Sequence, residues 1–145
     1  MSFLDALQTS STGLSAQRLR MNLISSNLAN ANTTRTPEGG PYRRKDAVFA
    51  ADPKKSPFHS ALSDKMGPQQ VDVKVIAIRD DLRPPIQKYD PGHPDADEKG
   101  YIYLPNINVV EEMVNIMTAT RSYEANVTAV KATKEMVAEA LEIGR

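Results

Sequence analysis

The sequence predicts a mainly α fold with a small β insertion: two long terminal helices that pair, separated by a middle of turns and short strands. Three observations lead there. All 10 prolines lie between Pro37 and Pro105, five of the 7 glycines share that stretch, and both ends repeat apolar residues every seven positions. Proline removes a backbone donor and clashes inside helices, so only the proline-free ends can be long helices. The chain therefore divides into an N-terminal helical segment, 1–36, a β/turn insertion, 37–105, and a C-terminal helical segment, 106–145.

In the first segment Ser2 is a plausible helix cap with Asp5 three residues on. Leu7, Leu14, Met21 and Leu28 then recur at sevens, flanked by Phe3, Ile24 and Ala31. That spacing draws a narrow apolar seam on one helical face. Gly13 and the Ser/Thr run at 9–12 lower the helix propensity, so the helix is expected to be marginal alone.

The stretch "ISSNLANANTTRTP", 24–37, sets a specific problem. Asparagine is a poor helix-interior residue, because its short amide competes for backbone hydrogen bonds. Either Asn27 and Asn30, three apart and so on nearly the same face, bond a neighbouring helix and fix register between subunits, or the helix frays there with Asn30 or Asn32 as a left-handed cap.

The last segment opens with "NINVVEEM", where Asn108 and Glu111 fit a capping pattern and Glu112 adds favourable first-turn charge. Val109, Ile116, Tyr123, Val130 and Val137 repeat at sevens. Met113, Val127 and Leu141 form a companion seam, interrupted by Thr120 and Lys134. At 1.5 Å per residue the two helices span about 40 and 50 Å. The first segment carries three basic residues against one acidic, and the last four against six, so their charges complement each other. Exposed pairs contribute only about 0–1 kcal/mol each, which leaves the apolar seams to do most of the holding.

Two strands are expected in the middle, in "YRRKDAVFAA" and in "QVDVKVIAIRD", where Val71, Val73 and Val75 alternate with Asp72 and Lys74. Between them "DPKKSPFHSALSDKMGP" reads as an exposed loop, and "RPPIQKYDPGHPDADEKGYIYLP" as turn-rich.

Charge and motif tests exclude several functions. With 18 basic and 18 acidic residues, no net field points to nucleic acid or an anionic membrane, and "YRRK" at 42–45 is too small a cluster to set a binding mode. The absence of cysteine removes disulfides, thiolate metal sites and a cysteine nucleophile. A calcium loop starting at Asp95-x-Asp97 fails at Lys99 and Asn106, where oxygen ligands belong. His93 among aspartates is better read as the surface of a bend fixed by Pro91 and Pro94, and His59 lies in a polar loop. No phosphate loop, nucleophile elbow or zinc-protease motif occurs. The chain is not expected to be an enzyme or to hold a cofactor or metal. Its N-terminus lacks the features of a cleaved signal, and no apolar run reaches the length of a membrane span.

Two long stripes and one small β element leave flanks exposed, which favours further copies or partners as their cover. At this point the residues resemble a family. "LISSNLANANTT" is similar to the asparagine-rich motif near the N-termini of flagellar rod and hook proteins, with Ser25 and Ser26 standing where Ala and Asn are frequent. The C-terminal helix, with "RSYEAN" at 121–126, resembles the C-terminal segment of the same proteins. "PYRRKDAVF" and "YDPGHPDADEKGYIYLPN" resemble the C-type basal-body rod proteins of the proximal rod, the FlgC family; the likeness covers nearly the whole chain and is weakest at 51–70.

The resemblance implies a structural subunit of the flagellar basal body, exported without a cleaved signal peptide and assembled helically into the rod that transmits torque across the periplasm. It implies terminal helices paired in a coiled-coil-like axial domain, with the insertion facing outward. The implied partners are other copies of the chain, other rod proteins, and the rod-base, MS-ring and export-gate structures. On this reading the assembly interface is formed by Leu7, Leu14, Met21, Ile24, Asn27, Leu28 and Asn30 with Val109, Met113, Ile116, Tyr123, Val127, Val130, Val137 and Leu141. A soluble helical adaptor or export chaperone is the alternative.

Overall fold

A computed structural model describes residues 3–53 and 71–144. The expected Ser2 cap, the expected loop between the first two strands and His59 lie outside the described residues. The N-terminal helix, α1, runs Phe3–Ala29 and the C-terminal helix, α2, runs Val109–Ile143. Between them lie β1 (Lys45–Pro53), β2 (Val71–Asp80), β3 (Ile86–Tyr89) and β4 (Tyr101–Leu104). Thus the mainly helical architecture with a small antiparallel β part is present. The stretch 83–105 carries the expected turns at 91–99, and in addition its flanks pair as a second hairpin.

β1 and β2 pair antiparallel, from Lys45 opposite Asp80 to Pro53 opposite Val71. The register slips between Val48 and Phe49, whose partners are Ala77 and Val75, so Ile76 is the extra residue of a bulge. β3 and β4 pair separately, with Tyr89 opposite Tyr101. Those strands are only four residues long and most of their side chains are exposed, so they carry almost no burial alternation for a sequence reading to detect.

α1 lies between α2 on one side and the β1–β2 hairpin on the other. The helices are antiparallel: Asn27 reaches Glu112, Met21 meets Thr120, and Gly13 faces Asn126. Gly13 has a packing reason. A Cβ there would stand 3.2 Å from the Asn126 amide nitrogen, so glycine lets the helices approach. The Ser/Thr run that weakens α1 also ties it to the sheet. The Thr12 hydroxyl accepts from the Val73 backbone N–H at 3.2 Å while donating to the Thr9 carbonyl at 2.9 Å. Arg20 sits over the Phe49 ring, 6.0 Å from its centre.

On α2 the half-buried and buried positions include Glu112, Ile116, Ala119, Tyr123, Asn126, Val130, Thr133 and Val137. Their spacing alternates four and three, which keeps one seam against a neighbouring helix. Half of it, Ile116, Tyr123, Val130 and Val137, follows the heptad read from sequence. The companion row does so only at Val127, which is half-buried; Met113 and Leu141 are exposed, and Glu112, Ala119, Asn126 and Thr133 complete the seam. A search for apolar residues passes over Glu112, Ala119, Asn126 and Thr133 because they are small or polar.

The core is thin. Among the described residues the buried apolar side chains are Ala16, Ile24, Ile102, Pro105 and Ala119, and the polar Asn27 and Glu112, at 0 % and 1 % exposed, are buried among them.

Candidate assembly interface and its polar clamp

The buried polar centre lies where α1 ends, β1 begins and α2 begins. Asn27, fully inaccessible to solvent, satisfies its whole hydrogen-bonding capacity. Its Nδ2 donates to the Lys45 carbonyl at 2.8 Å and to Glu112 Oε2 at 3.1 Å. Its Oδ1 accepts from the Lys45 N–H at 2.9 Å and from the Tyr42 hydroxyl at 3.2 Å. An asparagine that disfavours helix geometry is accommodated here by four bonds that no apolar side chain could make.

Glu112 is 1 % exposed, and its Oε1 accepts from Arg44 Nε at 2.9 Å. Burial opposes the charge on Arg44. The hydrogen bond and charge of Glu112, with a further contribution from Asp46, outweigh that penalty and raise the Arg44 pKa above its ordinary value. Removing one partner of such a pair strands a buried charge and costs about 3–5 kcal/mol. The clamp thus joins three segments distant in sequence.

These bonds change the expectation for Asn27. Every valence of its amide is used inside the chain, so the register it fixes is between α1, β1 and α2 of one molecule. Asn30 is also engaged locally: its Nδ2 donates to the Ser26 carbonyl at 2.9 Å and its Oδ1 accepts from the Thr33 hydroxyl at 3.2 Å. This side chain closes the end of α1 without a left-handed residue, since among the described residues only glycines have positive φ. The left-handed cap is therefore corrected to a side-chain cap. At the other helix, Asn108 Oδ1 accepts from the N–H groups of Val110 and Glu111, as its capping role requires.

The remaining residues expected at the interface fall into two groups. Leu7, Leu14, Met21, Ile116, Tyr123, Val127, Val130 and Val137 are half-buried, and Ile24 is buried. Leu28, Val109, Met113 and Leu141 are exposed. Met113, expected at the interface, belongs to a compact apolar patch whose other members sequence reading did not name: Val110, Met113, Val114 and Met117 follow i, i+3, i+4, i+7 and share one face of α2. At 100° per residue that face points nearly opposite the seam. All four side chains are at least half exposed.

The acidic stretch 90–100 is a structured turn. The Asp90 and Gly100 main chains bond each other, and His93 Nδ1 accepts from the Asp95 N–H at 3.1 Å. The Asp95 carboxylate accepts from the Thr34 hydroxyl at 2.7 Å and faces Arg35, pinning the turn to the segment after α1. Gly100 has φ +78°, and a Cβ there would lie 3.0 Å from the Tyr89 ring. Tyr89 in turn packs edge-on against Tyr101 at 5.3 Å between ring centres. Among the described residues no three His, Asp or Glu side chains converge on a metal-sized site, and no helix is long and apolar enough to cross a membrane.

Comparison with known proteins decides the family. The chain is 46 % identical to the flagellar basal-body rod protein FlgC of Borreliella burgdorferi, over 99 % of this chain and 98 % of that protein. The chain belongs to the FlgC family of flagellar basal-body rod proteins. FlgC of Bacillus subtilis is 44 % identical, and FlgC of Salmonella typhimurium 38 % identical, each over the full length of both chains. Residues 7–35 match the flagella basal body rod protein model, and residues 98–143 match the C-terminal model of the basal body rod FlgEFG proteins. In this FlgC-family chain the clamp bridges the two matched stretches. Asn27 lies in the first and Glu112 in the second, while Tyr42, Arg44 and Lys45 come from between them.

Proposed function

We infer that this chain is a structural subunit of the bacterial flagellar basal-body rod and not an enzyme. The observation that carries this reading is its end-to-end similarity to FlgC rod proteins of three distant bacteria. The adaptor or chaperone alternative has no support from these relatives.

The finer reading is ours. The subunit belongs to the proximal rod, reaches the periplasmic space without a cleaved signal peptide, and transmits torque there. Segments 1–36 and 106–145 form a coiled-coil-like axial domain, and 37–105 faces outward. Antiparallel packing of α1 on α2 and the four–three spacing on α2 support that division. The exposed residues Leu28, Val109, Met113 and Leu141, with the patch around Val114, contact neighbouring subunits. The half-buried seam residues, from Leu7 to Ile24 and from Ile116 to Val137, shape the surface that assembles. Asn27 and Asn30 contribute by holding that shape. The partners are further copies, other rod proteins, and the MS-ring and export-gate structures at the rod base. Such a role requires large apolar surface that the single chain leaves uncovered, and this chain has it.

Deleting the gene in its host tests the reading. Basal bodies should then lack a rod beyond the base and cells should be non-motile, with both restored by the intact gene. Normal rods and swimming in the deletion strain would contradict it.

A further inference from the structure

We propose that the Asn27–Arg44–Glu112 cluster is a conformational latch that makes closure of the α1–α2 pair conditional on docking of the strand-leading segment 42–45. The inference stands on the packing of the single chain, independent of what that chain assembles into.

The helix pair buries few apolar side chains completely. Fully buried apolar residues of α1 and α2 are confined to Ala16, Ile24 and Ala119, and alternate seam positions on α2 are Glu112, Ala119, Asn126 and Thr133. At one end of this weak seam stand Asn27 and Glu112, both polar and at most 1 % exposed. Three of the four bonds of Asn27 go to Tyr42 and Lys45. The cation that compensates Glu112 is Arg44, whose side chain is 17 % exposed. With 42–45 undocked, closing the helices buries a carboxylate without its cation and an amide with one partner left. Unpaired buried charge opposes closure, whereas the complete cluster favours it. The cluster is thus negative toward the bare helix pair and positive toward the three-part assembly. A pair of leucines at 27 and 112 would hold the helices together without reference to the middle of the chain.

Hydrogen exchange on the purified full-length chain tests this. Helix amides exchange through opening, so their rates read the closure equilibrium directly. Arg44→Ala should speed exchange at seam amides of both helices, around Ile24 and Ala119, by about tenfold or more. In the Asn27→Leu/Glu112→Leu background, where the apolar pair replaces the cluster, the same Arg44→Ala change should alter those rates less than about twofold. If Arg44→Ala accelerates only β1 amides, if both backgrounds respond equally, or if the helices of the unaltered chain show no protection, the latch is overturned. Should Arg44→Ala alone fail to fold while the triple variant folds with protected helices, the dependence is shown in its strongest form. Should the triple variant also fail to fold, the proposal is likewise overturned, because the leucine pair was expected to remove the dependence.

Discussion

The side chain of Asn27 and the main chain of Lys45 exchange two hydrogen bonds, 2.8 Å and 2.9 Å long, as two residues of adjacent strands would. A helix side chain thereby stands in for the edge of a sheet at the first residue of β1. Its remaining donor and acceptor reach Glu112 and Tyr42, so one amide joins both ends of the chain to the middle.

Replacing Asn27 with Ala therefore leaves the Lys45 N–H and carbonyl and one Glu112 oxygen without this partner. Each unmet buried group costs about 1–3 kcal/mol, so a loss of about 3 kcal/mol is expected in urea unfolding. Asn27→Asp should be worse, because it replaces two donors with a carboxylate against Glu112. An unfolding free energy within about 0.5 kcal/mol of the parent would show that the amide is dispensable.

Gly100→Ala should destabilise the β3–β4 hairpin by about 2 kcal/mol, since a side chain is disfavoured at φ +78° and the new methyl meets the Tyr89 ring. Gly92→Ala is the control. Its nearest neighbour would be Asp90 Oδ1 at 3.8 Å, an ordinary contact, and its φ is not positive. Thermal unfolding of both variants checks the contrast, with Gly92→Ala within about 0.5 kcal/mol of the parent.

The Asp81 carboxylate accepts from Arg83 Nε at 2.7 Å and from the Arg83 N–H at 3.0 Å, and these bonds hold its pKa below the usual carboxylate value. A depressed folded-state pKa means that the unfolded chain binds the proton more readily. This contribution is therefore complete above about pH 4 and is lost as pH falls through the lower folded-state value. Asp81→Asn should reduce stability near neutrality and flatten its acid dependence below about pH 4, in unfolding measured across pH. An unchanged acid slope would remove Asp81 from the account.

Val114→Gln with Met117→Gln should leave the stability of the single chain within about 0.5 kcal/mol, because both side chains are already more than half exposed. Incorporation into rods should nevertheless fall sharply, read by immunoblot of purified basal bodies. Normal incorporation would show that this patch is not a subunit contact.

Much of this fold was legible because its determinants are local. Prolines confined to 37–105 left both ends free to be helices, Asn108 announced the start of α2, and alternating valines marked β2. The β3–β4 hairpin was hidden by its brevity and exposure. The second row of the α2 seam was hidden because its members, Glu112, Ala119, Asn126 and Thr133, are small or polar, and two of them answer to distant partners, Asn126 to Gly13 and Glu112 to Asn27 and Arg44. The clamp posed the clearest contrast. Three asparagines in "NLANAN" signalled that amides had a task, but the partners of Asn27 lie 15 to 85 residues away, and only the folded chain brings them together.

Mass spectrometry of detergent-washed hook–basal bodies from the source bacterium tests the central claim most directly. The account predicts this chain in stoichiometric amount with the other rod proteins after washing. Its absence from intact basal bodies, in cells that express it, would contradict a structural role in the rod.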